Sequence, residues 1–287
     1  MQFNESTAKA WLTSNIGSLV PPNTRRYTHG VVTQSLGTNL LGMKTDLRPF
    51  EGVVVHCGDG FYVVKTGRNA FKLVDPSILR ETLIEGSKVR ITPYQRRRFN
   101  GTLLSDPESI EDNGTYLTKT YVLGVNHSEI PLATPQTQYL LDALDLLHRG
   151  KCPDGVRLIS NMLVDINATN FSMQEPIEAT HDDDGNEVTA EQWHEPQISF
   201  DCKSNTFAGR VTVGVDVASD TYFVDLQKPD ETGAMQPHTR CNSVYFDGLA
   251  TVLTDLLCDG EWRFAKIDVL KAAPKAKQSK VNEAVPC

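Results

Sequence analysis

The stretch most able to do chemistry is basic: Lys88-Val-Arg90-Ile-Thr-Pro-Tyr94-Gln-Arg96-Arg97-Arg98-Phe99. Lys88 and Arg90, two residues apart, share one face of an extended strand, and Arg96, Arg97 and Arg98 follow at its end. Such an array attracts phosphates by counterion release, while Tyr94 and Phe99 offer rings on which bases can stack. Lys88, Arg90, Tyr94, Arg96, Arg97 and Arg98 are therefore the candidate nucleic-acid contacts. The same run also suits a solvated edge strand, whose charge discourages pairing with another chain.

Carboxylates come next. Val213-Gly214-Val215-Asp216-Val217-Ala218-Ser219-Asp220-Thr221 resembles the first strand of RNase H-like nucleases and transposases, and that resemblance implies Mg²⁺ held by Asp216. A divalent-metal site of this kind needs further carboxylates from later strands. Here Asp247, Asp255 and Asp259 lie on or beside one helix, which is too little chain for that fold; an aspartate alternating with core valines on a hairpin explains the pattern more simply. Over Thr180 to Glu191, the residues Asp182, Asp184, Gly185 and Glu191 match the third, fifth, turn-glycine and twelfth positions of a calcium loop. Thr180 stands where the first aspartate is expected, so a solvated Asp-Gly hairpin is the simpler reading. His181 and His194 have no cysteine nearby and no zinc spacing. Asp216, Asp182, Asp184 and Glu191 are thus minor metal candidates, and no cofactor is expected.

For nucleophilic chemistry there is no Gly-x-Ser-x-Gly elbow, no phosphate loop and no dinucleotide fingerprint. His56 and Cys57 are adjacent on a strand and point to opposite faces, so one does not activate the other. These residues describe a binding or accessory protein better than an enzyme.

The elements that must carry these residues fall into two unlike parts. Residues 4–19 follow helical spacing through Ala8, Trp11, Leu12 and Ile16, and Pro21-Pro22 ends that helix. Strands are expected at 52–57, 61–66, 70–74 and 88–92, with Gly58-Asp59-Gly60 and Gly67-Arg68-Asn69 as turns. So many short strands in so little chain suggest a small barrel-like closure. Residues 105–114 are polar and acidic and read as a loop, with one more strand at 116–125. A helix from Thr134-Pro135 to Gly150 and a second over 154–166 form a helical hairpin. Strands return at 197–202, 208–217 and 221–226. Asp247 is placed to cap a helix ending near Leu257. Residues 261–270 fit strand or helix, and the Ala-, Lys- and Pro-rich end reads as a disordered tail. The expected class is α+β: a basic β-rich domain over 1–130, an acidic α+β domain with antiparallel strands over 131–271, and a tail over 272–287.

Residues 52–94, through Gly52-Val53-Val54, Asp59, Val63-Val64-Lys65, Gly67-Arg68, Asp75, Leu79, Gly86, Val89-Arg90-Ile91 and Tyr94, resemble the KfrB-type small β-domain of plasmid and mobile-element proteins. The resemblance implies an accessory protein of a plasmid or phage, acting in maintenance or counter-defence, and it implies no catalytic residues.

Charge is divided along the chain. Residues 1–104 hold 14 Lys+Arg and 7 Asp+Glu, or +7, which leaves −15 of the overall −8 for the remainder. The basic part suggests nucleic acid as partner; the acidic part suggests a host protein or a DNA mimic occupying a nucleic-acid-binding enzyme. Attraction between the two parts explains the division equally well. The six cysteines form no CxxC pair, and no secretory leader or membrane span is apparent, so a reducing, cytoplasmic setting is expected. Three functions compete: a non-enzymatic accessory protein binding nucleic acid or a host protein in counter-defence or maintenance, a metal-dependent RNase H-like nuclease centred on Asp216, and an acidic DNA-mimic inhibitor.

Overall fold

The computed structural model describes residues 3–122, 124–176 and 194–274, and the backbone of two short strands at 180–181 and 187–188. The calcium-loop residues Asp182, Asp184 and Glu191, and most of the expected tail (275–287), lie outside the described residues. The chain is mixed α+β.

In chain order the first part contains α1 (Glu5–Leu19), β1 (Thr28–Val32), the short pair β2 (Gly37–Thr38) and β3 (Lys44–Thr45), then β4 (Phe50–Gly58), β5 (Phe61–Lys65), β6 (Ala70–Val74) and β7 (Lys88–Thr92). The hairpin β8 (Ser109–Asp112) and β9 (Leu117–Thr120) follows, then α2 (Gln138–Arg149), α3 (Ile159–Asp165) and β10 (Thr169–Gln174). The last part holds the short pair β11 (Thr180–His181) and β12 (Glu187–Val188), then β13 (Gln197–Lys203), β14 (Ala208–Asp216), β15 (Thr221–Pro229), β16 (Met235–Val244), α4 (Leu249–Leu257) and β17 (Lys266–Lys271).

Two compact units result: one from residues 1–35, 47–94 and 263–287, the other from 36–46 and 95–262. The boundaries differ from a division at residue 130, because the chain returns to its beginning. β17 pairs antiparallel with β7, opposing Ile267 to Ile91 and Val269 to Val89. The ambiguous segment at 261–270 is therefore a 3₁₀ turn (Glu261–Arg263) followed by a strand of the first unit.

The first unit is a six-stranded sheet in the order β1-β6-β5-β4-β7-β17. Alternation decides its two faces. Phe61, Val63, Phe71 and Leu73 turn towards Ala8 and Leu12 of α1, whose start is capped by the Asn4 side chain accepting from the Thr7 N–H. Val54, Val64, Val74, Val89 and Ile91 turn the other way, against Ile78, Leu79, Leu83 and Ala265. Barrel-like closure is absent among the described residues: β1 and β17 stand at opposite ends of the ladder. A helix on one face and a packed connecting segment on the other protect the sheet instead.

The second unit is a five-stranded antiparallel sheet, β10-β13-β14-β15-β16, with helices on one face. Ile198, Phe200, Val211, Val213, Val224 and Leu226 pack there against Leu140, Leu147, Leu163, Leu253 and their neighbours. Beneath them Arg157 is fully buried, bound to Asp154 and Asp165 at 3.0 and 2.8 Å and lying 4.0 Å from the Trp262 ring. Two caps differ from the sequence expectation. α2 starts at Gln138, and Glu175 from beyond β10 accepts from the Gln136 and Thr137 N–H groups and the Thr137 hydroxyl. Desolvation opposes ionisation of Glu175, but those hydrogen bonds prevail and lower its pKa. α4 starts after Gly248, with no side-chain cap from Asp247.

Candidate functional site

The basic run is largely consumed by the fold. Lys88 and Arg90 do share the outer face of β7, but β7 is an interior strand. The register sets Arg90 between Glu51 on β4 and Asp268 on β17. Arg90 binds Glu51 through Nε and Nη2 at 2.9 and 2.5 Å, and Lys88 reaches the same carboxylate at 3.6 Å. The Arg90 hydrogen bonds, with the charges of Arg90 and Lys88, hold the Glu51 carboxyl below its ordinary value.

Arg96 corrects the sequence reading. Its side chain and that of Asp46 are 5% and 4% exposed, and Nε meets Oδ1 at 2.8 Å. Nη1 donates to Asn126 Oδ1 at 3.1 Å and Nη2 to the Lys44 carbonyl at 3.4 Å. An arginine so enclosed offers nothing to a phosphate. Arg98 is similarly engaged, its guanidinium donating to the Leu103, Leu104 and Asp106 carbonyls. Phe99 packs edge-on against Phe171, with centroids 5.1 Å apart, so it is no base-stacking platform. Tyr94 is half-buried, and Arg97 alone of the three consecutive arginines is exposed.

Asp216 closes the β14–β15 hairpin. Its Oδ1 accepts from the Ala218 and Ser219 N–H groups at 3.1 and 3.2 Å, and bonds with Ser219 lower its pKa. Such bonds are what a turn aspartate makes, and they account for the Val-Asp-Val pattern without a metal. Among the described residues no three His, Cys, Asp or Glu side chains gather in a way that could hold an ion. The five described cysteines are free thiols, and no described helix is long and apolar enough to cross a membrane.

What the fold does leave open is the face of the second sheet away from its helices. The register arranges that face in rows. Ser172, Ser199, Thr212, Asp225 and Arg240 lie side by side across all five strands. Asp201, Arg210 and Gln227 form a second row, and Gln174, Gln197, Gly214 and Phe223 a third. Together with His194 and Glu195, most of these residues line a cleft of about 780 Å³. Ser199 and Thr212 share a hydrogen bond of 2.8 Å, and Gln197 donates to Gln174 at 2.5 Å.

One ring sits in this polar surface, only 4% exposed. Phe223 lies flat on Gly214, where a Cβ would come within 2.0 Å of the ring, and the Arg240 guanidinium covers it at 4.1 Å. Gly214 is thus needed for space, and the cation–π contact fixes Arg240 above the sheet. Arg240 also donates to Asn242 Oδ1 at 2.9 Å and lies 3.6 Å from Glu195. Arg210 and Asp201 form an ion pair at 3.3 Å, yet Arg210 Nε and Asp201 Oδ1, both shielded from solvent, make no hydrogen bond. The charges are paired while their bonding capacity is left over.

No local sequence signal marks this face. A row such as Ser172-Ser199-Thr212-Asp225-Arg240 comes from five strands and has no local signature; the only trace is polar residues alternating with the valines and isoleucines of β13 to β15. Comparison with known proteins brings no matching family model, no matching curated protein and no matching solved structure.

Proposed function

We propose that this chain is a non-enzymatic binding protein that grips a partner protein through the open face of its second sheet. The observation that carries the reading is the one-sided cover of that sheet: helices seal one face, and the other is a concave floor of hydrogen-bonding side chains. Carboxylates on this floor (Asp201, Asp225, Glu195) outnumber guanidinium groups (Arg210, Arg240), so a polyphosphate backbone would meet repulsion there. A surface of mixed and mostly paired charge, with one ring held rigid, matches the polar surface of a folded protein. The enclosure of Arg96 and Arg98, with Lys88 and Arg90 set against Glu51, removes most of the support for nucleic acid at the basic run.

The resemblance of residues 52–94 to the KfrB-type domain supports placing the chain among accessory proteins of mobile elements, with a host protein as the partner. The experiment is affinity capture from the native host with three forms of the full chain. The wild type and Arg97→Glu should retain one and the same partner, and Asp225→Lys should lose it. Capture indifferent to Asp225→Lys, or nucleic-acid binding that depends on Arg97, would overturn the reading.

A further inference from the structure

We infer that the β8–β9 ribbon is a dimerisation arm that adds to the free edge of β1 in a second copy of this chain. All eight residues of its two strands are exposed. An isolated two-stranded hairpin is marginal in water and gains stability when further strands extend a hydrophobic face. This ribbon has such a face. Register opposes Ile110 to Lys119 and Asp112 to Leu117, so Ile110, Leu117 and the following Tyr121, at 59%, 59% and 53% exposure, share one side with Asp112 and Lys119. Ser109, Glu111, Thr118 and Thr120 take the other side.

The occupant follows from charge and backbone geometry. Segment 105–121 carries Asp106, Glu108, Glu111 and Asp112 against Lys119, or 1 − 4 = −3. Within the same chain, β1 ends the six-stranded sheet and pairs only with β6 among the described residues, leaving one row of N–H and C=O groups unpaired. Arg25 and Arg26 precede it, separated from it by Tyr27. Asn69 donates to the Arg26 carbonyl at 2.8 Å, which places the turn of Arg68 beside them, and all three arginines are exposed. A short strand edge flanked by three arginines complements an acidic ribbon, and strand addition satisfies both sets of backbone groups. Each copy carries both an arm and an acceptor edge, the pairing that a two-fold dimer requires.

Sedimentation of the full chain tests this. The wild type should dimerise reversibly, and more weakly at high salt. Ile110→Glu with Leu117→Glu, and separately Arg25→Glu with Arg26→Glu, should each raise the dissociation constant about tenfold or more, a change of about 1.4 kcal/mol. Circular dichroism should be unchanged, since every altered residue is exposed. One chain carrying Arg25→Glu, Arg26→Glu, Glu108→Lys and Glu111→Lys should recover the dimer. A chain monomeric at every accessible concentration, a dimer indifferent to both sets, or a failure of the combined reversal to restore association would each overturn the inference.

Discussion

Arg96→Ala removes the guanidinium facing Asp46 and leaves that carboxylate enclosed. The substitution abolishes three hydrogen bonds, at 2.8 Å to Asp46, 3.1 Å to Asn126 and 3.4 Å to the Lys44 carbonyl. Both charged side chains are at most 5% exposed, so water cannot readily replace them. Breaking such a pair from one side costs about 3–5 kcal/mol, a large share of the roughly 5–15 kcal/mol that holds a native protein together. Urea unfolding followed by circular dichroism reads this as a lower midpoint. Arg97→Ala, one residue away and exposed, should stay within about 0.5 kcal/mol of the wild type. The paired change Arg96→Met with Asp46→Leu removes both charges and should recover much of the loss. An Arg96→Ala variant as mild as Arg97→Ala would show that no buried ion pair holds this site.

Two further outcomes are expected. Gly214→Val sets a side chain into the space of the Phe223 ring, within 2.0 Å at Cβ alone; overpacking of this kind costs about 1–3 kcal/mol, measured as a lower unfolding midpoint. His148 Nε2 accepts the Ile130 N–H at 3.0 Å, so it must be unprotonated there. Desolvation is the main cause of its lowered pKa; His127 and Arg149 add to it, while Glu129 and Asp145 oppose it. The folded state therefore binds fewer protons at this site than the unfolded chain. Its contribution is full above the ordinary imidazole value of 6.5 and is lost as the pH falls from there through the folded value. The stability of His148→Gln should fall less than that of the wild type over that window.

Where one face of a strand is apolar, the sequence was readable. β5, β6, β7, β13 and β14 fall within a residue or two of the positions their alternation implies, and Ala8 and Leu12 announced α1. Strands that bury little left no such trace. β16 is exposed along most of its length and contains Pro237, so nothing in Met235–Val244 separates it from a loop. β8 is fully exposed, and its Ser-Ile-Glu-Asp sequence reads as part of an acidic turn. β17 was ambiguous because its partner β7 lies far away in sequence, and only the long-range pairing selects the strand. The arginines make the same point about a site. Arg96, Arg97 and Arg98 are identical in type and consecutive, yet Asp46 and Asn126 enclose the first, a carbonyl turn holds the half-buried third, and only the second is fully exposed. Partners distant in sequence settled the fate of Arg96, and a local turn that of Arg98.

If the open face of the second sheet is the acting surface, a probe set into it must touch the partner. Placing a photo-crosslinking residue at Gln227, within that cleft, and separately at the exposed position Arg97 of the full chain, in its native cell, tests it most directly. A discrete protein adduct is expected from position 227, abolished by Asp225→Lys, and none of that identity from position 97. A nucleic-acid adduct from position 97, with nothing from position 227, would contradict it.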